Sequence, residues 1–357
     1  MLKTLKTSHI FIRVDGNENI GLGHLIRCIT IAEMFIEVGL KVHFLCGQIS
    51  NLGKTLIKDL QFSYTQLQSV GINANSAKEV ANIIGAETNS KLLVDLPFKK
   101  NDDAKNFGEF FKNIKSYGIT LAVIDGLDSD CASMNIELPT DLIIVPYLNA
   151  ENRSYNVLQN THILAGIQYF PFSGEIIRQA RKKKRVATSA KKVLICFGGG
   201  KVKKENRKIL DGISLCKKND WKITIIGEVE HTQFLDQNYV NLNHAKNLPK
   251  IMFESDIAIL GSGLIRYEAA LLGTPSLVFS RNKNHARLVQ EFADSELCVH
   301  GGIINDLPES KIANSILAIR GDLELRKKIA SRRHKLNKSG TKKIVKAILE
   351  MPNGVKV

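Results

Sequence analysis

Short apolar runs that stop at an aspartate or a glycine, each followed by a helical stretch, recur through both halves of this chain. In the first half, HIFIRVDG (9–16), KVHFLCG (41–47), KLLVDLP (91–97), ITLAVIDG (119–126) and DLIIVPY (141–147) read as buried strands. Between the first two, HLIRCITIAEMFIEVG (24–39) spaces its apolar residues three to four apart and ends at Gly39, a helix with a glycine C-cap. NDDAKNFGEFFKNIKSYG is a further helical stretch. Strands this apolar must be covered on both faces, which calls for a parallel sheet layered between helices. The second half restarts the pattern with KKVLICFGGG (191–200), a helix around 203–218, WKITIIGE (221–228), DIAILGSG (256–263) and PSLVFS (275–280). The polar, highly charged segment SGEIIRQARKKKRVATSAKK lies between the halves. A chain of 357 residues is also too long for one ordinary core. The expected architecture is α/β, with two doubly wound parallel-sheet domains facing each other across a cleft. The N-terminal domain is placed at 1–175, a basic linker at 176–190 and the C-terminal domain at 191–357.

Composition narrows the function classes. A hydrophobic fraction of 44% suits a folded, soluble protein, and no apolar run approaches the ~20 residues needed to span a bilayer. The opening MLKTLKTSHIFIRVDG has lysines but no long apolar stretch or small-residue cleavage site, so it does not read as a secretory signal, and a cytoplasmic location is expected. Cysteines 28, 46, 131, 196, 216 and 298 show no CxxC or Cys/His spacing and read as buried free thiols, without disulfides or a metal. The net charge of +15 resides largely in runs such as Arg181–Arg185 and the lysine-rich last thirty residues. No nucleic-acid module accompanies it. Such runs are most often solvated faces; as partners, phosphate-bearing small molecules rank first and weak association with a membrane surface second.

Three glycine-rich turns fall at the carboxyl ends of strands, where open α/β sheets bind ligands: Gly21-Leu22-Gly23, Gly198-Gly199-Gly200 and Gly261-Ser262-Gly263. Glycine lets backbone N–H groups approach a phosphate, and a following helix adds the positive end of its dipole. Each turn by itself could simply be tight; three in equivalent places favour a shared ligand. GLGHLI lacks the third glycine of the dinucleotide fingerprint, and GxxxxGK[ST] is absent. After the third turn, a helix starting near Leu264 places Glu268 about one turn in, where a carboxylate can accept hydrogen bonds from two neighbouring hydroxyls, as on a ribose. A glutamate favourable to the helix dipole is the equal alternative.

RVDGNENIGLGHLIRCITIAE, VLICFGGG (193–200) and NLPKIMFESDIAILGSGLIRYEAALLGTPSLVF (247–279) together resemble the UDP-2,4-diacetamido-2,4,6-trideoxy-β-L-altropyranose hydrolase family of pseudaminic acid biosynthesis and its spore-coat polysaccharide relatives. LAGIQYFPFSGEI (164–176) lies where that family has a similar Gly-x-x-Tyr segment. The resemblance implies a GT-B fold and hydrolysis of a UDP-sugar to UDP and free sugar, with no required metal or other cofactor. By motif, His24 would be catalytic, with Asp15, Gly21, Gly23 and Arg27 shaping its loop at the ligand. Gly199, Ser262, Gly263, Leu264 and Glu268 would contact the nucleotide. At the start of a helix, His24 is expected to favour the neutral imidazole, able to take a proton from water.

Two departures from the family pattern stand out. Its Asp-His-Tyr-like stretch corresponds here to Asp95-Leu96-Pro97, without the tyrosine. Its Gly-Gly-Ser-x-x-x-Glu turn becomes Ser262-Gly263-Leu264-Ile265-Arg266-Tyr267-Glu268, in which Arg266 adds a cation available to a phosphate or a differently charged sugar. Downstream, Asn282 or Asn284, after the strand PSLVFS, is expected at the sugar or diphosphate. Two alternatives stay open: a glycosyltransferase moving the sugar to a glycan or lipid acceptor, and a non-catalytic sugar-nucleotide binding module.

Overall fold

The computed structural model describes residues 9–69, 71–85, 90–97, 104–125, 138–155, 157–216, 220–230, 238–242, 244–245 and 247–352. Cys131, Gly126, the first three residues of the helical stretch begun at Asn101, and residues 217–218 of the helix expected around 203–218 lie outside them. The chain divides into two compact units, residues 1–172 with 337–357, and residues 173–336.

The first unit is a seven-stranded sheet built from β1 (His9–Val14), β2 (Lys41–Cys46), β3 (Ser63–Gln66), β4 (Lys91–Asp95), β5 (Thr120–Ile124), β6 (Leu142–Val145) and β7 (His162–Ala165). Every pair is parallel, in the order β3-β2-β1-β4-β5-β6-β7. Four helices, α1 (Gly23–Glu37), α2 (Asn51–Asp59), α3 (Ala74–Ile84) and α4 (Ala104–Ser116), form the crossovers of the first five strands. β4 and β5 are buried along their whole length, as their unbroken apolar sequences require. The strand order reverses direction between β1 and β4, whose register sets Val14 beside Asp95. That reversal opens a crevice at the carboxyl ends of the two strands.

The second unit repeats the plan. It contains α5 (Gly174–Ala180), β8 (Lys192–Cys196), α6 (Lys203–Ser214), β9 (Lys222–Ile226), β10 (Tyr239–Leu242), α7 (Leu248–Glu254), β11 (Ile257–Gly261) and α8 (Ile265–Leu272). β12 (Ser276–Ser280), α9 (Lys283–Asp294), β13 (Val299–Ile303), α10 (Glu309–Gly321) and α11 (Leu323–Ser331) complete it. Its parallel order, β10-β9-β8-β11-β12-β13, places the reversal between β8 and β11, the strands that lead into two of the glycine turns. The doubly wound sheets expected from the sequence are therefore both present.

The boundaries differ from the expected ones. Residues 176–190 are not a free linker: α5 packs on α7 and α8, and Lys184 Nζ donates to the Phe253 and Ser255 carbonyls at the C-terminal end of α7. Within the basic run, Arg181, Lys182, Lys183 and Arg185 stay exposed, whereas Lys184 is spent inside the unit. Nor does the C-terminal stretch all belong to the second unit. The last helix, α12 (Gly340–Glu350), packs on α1, where Ile344, Val345 and Ile348 join the core made by β1, α1 and β2. Lys91 Nζ, buried at the start of β4, donates to the carbonyls of Ile348, Leu349 and Met351 at 2.9, 3.0 and 2.6 Å, satisfying the end of that helix. The amphipathic pattern of α12 shows that it must be covered, but not by which sheet. Among the described residues, no helix is long and apolar enough to cross a membrane.

Gly340 marks how closely α12 seats. A Cβ there would meet the Phe170 carbonyl and lie 2.9 Å from its backbone nitrogen. Backbone cannot yield as a side chain can, so Gly340→Ala is expected to cost about 1–3 kcal/mol, read as a lower urea midpoint with an unchanged slope.

Candidate active site

In the first unit, one carboxylate organises the carboxyl ends of the central strands. Asp95, the last residue of β4, is fully buried. From α1 it receives three side chains of the His-x-x-Arg-Cys sequence. His24 Nδ1 lies 2.6 Å from Oδ1, Arg27 donates through Nη2 to Oδ1 at 2.6 Å and through Nε to Oδ2 at 2.7 Å, and the Cys28 thiol reaches Oδ2 at 3.6 Å. Spacings of three and four put all three on one face of the helix, which is why the motif has that form. Arg27 also donates to the phenol of Tyr147, just beyond β6. Burial by itself would raise the Asp95 carboxyl, but the Arg27 guanidinium and the His24 contact outweigh it and hold the group well below the usual carboxylate range. Burial opposes the charge on Arg27 as well, and Asp95 more than restores it.

An ionised carboxylate only accepts hydrogen bonds, so His24 Nδ1 carries the hydrogen. In the neutral ring Nε2 is then a lone pair, and the side chain is 21% exposed, open to a water molecule. The neutral ring's tautomer is thus set by Asp95.

The loop before α1 is tied down without using a ligand. Asp15 Oδ1 accepts from Gly47 N at 2.8 Å and Gln48 N at 3.0 Å, and the carboxylate pairs with the buried Arg13. Gly21 has φ +83°, a conformation that favours glycine, and its N–H closes a turn onto Asn17 O at 2.7 Å. Gly23 is the first residue of α1. His24, Arg27 and their loop are therefore brought together as expected, but Asp15 is engaged by the protein's own backbone.

In the second unit, Gly199 lies exposed on the loop between β8 and α6, and Ser262, Gly263 and Leu264 form the turn from β11 into α8. Gly263 has open space where a side chain would project. Glu268 falls in the first turn of α8, as the spacing predicts. Among the described residues it has no hydrogen-bond or ion-pair partner, and burial, with Glu175 adding to it, pushes its carboxyl up to about 7. Ser262 Oγ lies 2.7 Å from His285 Nδ1.

Two expectations for this unit change. Arg266 is not a surface cation. It is fully buried, its Nη1 donates to the Ser262 and Gly263 carbonyls, and its guanidinium lies over the rings of Tyr267 and Phe292 at 4.8 and 5.4 Å from their centroids. Asn282 is the N-cap of α9: its Oδ1 accepts from His285 N at 2.8 Å, so that oxygen is occupied.

Sequence reading passed over Asp95 as a functional group and registered its segment only for a missing tyrosine. The available signal was an acid closing a mostly apolar strand, repeated in Asp15 and Asp125 after β1 and β5. The phenol absent after Asp95 has a counterpart in Tyr147, which arrives from β6 and meets Arg27.

Two sheets of this order, each with its reversal at the central strands, define a GT-B-like α/β protein, and comparison with solved structures agrees. The MurG of Acinetobacter baumannii superposes with a TM-score of 0.65 at 12% identity, covering 96% of this chain and all of that one. A UDP-GlcNAc 2-epimerase from Neisseria meningitidis, solved with UDP-GlcNAc bound, gives 0.63 at 14% identity over 96% of this chain and all of that one. In sequence, the chain is similar to the spore coat polysaccharide biosynthesis protein SpsG of Bacillus subtilis, with 23% identity across 89% of this chain and 91% of that protein. No family model matches it.

Replacing Asp95 by asparagine leaves the Arg27 guanidinium buried without its anion. Asp95→Asn is expected to lower stability by about 3–5 kcal/mol, seen as a depressed thermal midpoint at pH 7.

Proposed function

We propose that this protein hydrolyses a UDP-linked acetamido-deoxysugar of the UDP-2,4-diacetamido-2,4,6-trideoxyhexose type, giving UDP and the free sugar for a nonulosonic acid or related surface glycan. The observation that carries the reading is the Asp95–His24 pair: a buried carboxylate holding Nδ1–H and leaving Nε2 as a base open to water. The similarity to SpsG supports the glycan context, and the fold shared with the epimerase solved with UDP-GlcNAc supports a UDP-sugar as ligand.

The chemistry follows from these groups. Nε2 of His24 takes a proton from water as its oxygen attacks the anomeric carbon. The bond from that carbon to the diphosphate oxygen breaks, and UDP leaves with the electron pair. Asp95 stabilises the imidazolium as it forms, while Arg27 keeps Asp95 ionised and in place. In the second unit, the N–H groups of Gly199, Gly263 and Leu264 meet the diphosphate, and ionised Glu268 accepts the ribose hydroxyls.

UDP release in water, without an added acceptor, is the direct test. His24→Ala is expected to reduce it by roughly 10²–10⁴-fold while leaving UDP affinity within about twofold. Full turnover in His24→Ala would sink the proposal, and wild-type turnover that appears only with a glycan or lipid acceptor would replace hydrolysis by transfer.

Glu268 sets a pH dependence for binding. In the free protein its carboxyl is raised to about 7, so it is protonated below that pH and a poorer acceptor for two hydroxyls. UDP affinity is expected to rise between pH 6 and 8, and Glu268→Gln should flatten this rise in calorimetric titrations.

A further inference from the structure

We propose that Arg266 is a positioning residue for the diphosphate: a buried cation that presets the turn's N–H groups and favours negative charge in front of them. This deepens the nucleotide-sugar reading and rests on it.

The geometry starts with the peptide planes. In a trans peptide the C=O and the following N–H point in opposite directions. Arg266 Nη1 donates to the carbonyls of Ser262 and Gly263, drawing both to the same side. The N–H groups of Gly263 and Leu264, which share those two planes, are therefore turned the other way, out of the amino end of α8. Gly263 is exposed there, with no atom within 4 Å of where a Cβ would stand. One side chain in the first turn of the helix, together with its own backbone N–H on the Gly263 carbonyl, thus orients two consecutive donors away from the helix.

Charge gives a second, independent argument. Arg266 is fully buried, yet among the described residues no carboxylate pairs with it, and its Nε and Nη2 have no hydrogen-bond partner. Two backbone carbonyls and the faces of Tyr267 and Phe292 hold it. A buried cation without an anion is costly, and compensation is available from a ligand that brings negative charge to the far side of the turn. The amino end of α8 adds to the same field. A diphosphate meets both conditions, whereas a neutral nucleoside meets neither.

The consequence is selective. Arg266 should matter for the phosphate part of the ligand and not for the base and ribose, which gives a readout that a general loss of packing would not produce. Calorimetric titration of uridine, UMP and UDP into wild type, Arg266→Met and Arg266→Lys, with thermal melts alongside, makes the comparison. In Arg266→Met, UDP affinity is expected to fall by about tenfold or more while uridine affinity stays within about twofold. Lysine keeps the charge but lacks the planar fork, so Arg266→Lys should lose only part of the UDP preference, again without loss for uridine. Should the methionine variant fail to fold, the lysine variant alone decides. An unchanged UDP-to-uridine ratio in either folded variant, or equal losses for both ligands, would overturn the role given to Arg266. Wild type that binds no UDP would instead overturn the nucleotide-sugar reading and this inference with it.

Discussion

The carboxylate of Asp95, held between His24 and Arg27, joins the first helix to the fourth strand at the place where the strand order reverses. Taking a carboxylate fully out of water is unfavourable, and only good geometry with a cation makes it tolerable. Arg27 supplies that geometry through two nitrogens, one to each oxygen, so the position of α1 over β1 and β4 is specified by a fork rather than by apolar contact alone. His24 inherits its orientation from the same contact. The pair that fixes the helix and the pair that orients the imidazole are therefore one cluster, and Tyr147 extends it to the end of β6.

The two units share a topology and differ in how they treat charge. In the first, Asp15 is paired with Arg13 and Asp95 with Arg27, and His24 sits against the second pair. In the second, among the described residues, no carboxylate pairs with Arg266 and no donor reaches Glu268, whose carboxyl burial raises. Charges paired within the protein hold geometry, while charges left over must be compensated by something else. Polar ligands such as a diphosphate and a ribose have complementary chemistry.

Much of the fold was legible because its causes are local. Alternating strand and helix patterns, and the glycines and aspartates ending the strands, announced both sheets. His24 and Glu268 were singled out the same way, from residue types at fixed offsets from a turn. The partition of the chain was less legible: α5 and Lys184 look like linker in sequence and prove to be packed, and α12 continues the second half in sequence yet covers α1. The protein partners of Arg266 and Asn282 were not legible, because a polar residue beside a glycine turn carries no sign of whether its side chain faces inward. The structure gives Arg266 to two carbonyls and Asn282 Oδ1 to a helix cap.

The sequence by itself determined the element types, the α/β class, the glycine turns and the His-x-x-Arg-Cys face, since each depends on residues only a few positions apart. Only the tertiary structure decided that this face meets Asp95, 71 residues from His24, and that Tyr147 lies 120 residues from the arginine it touches. Those partners follow from strand order, and strand order is the outcome of burying whole sheets at once, which no short stretch of sequence encodes.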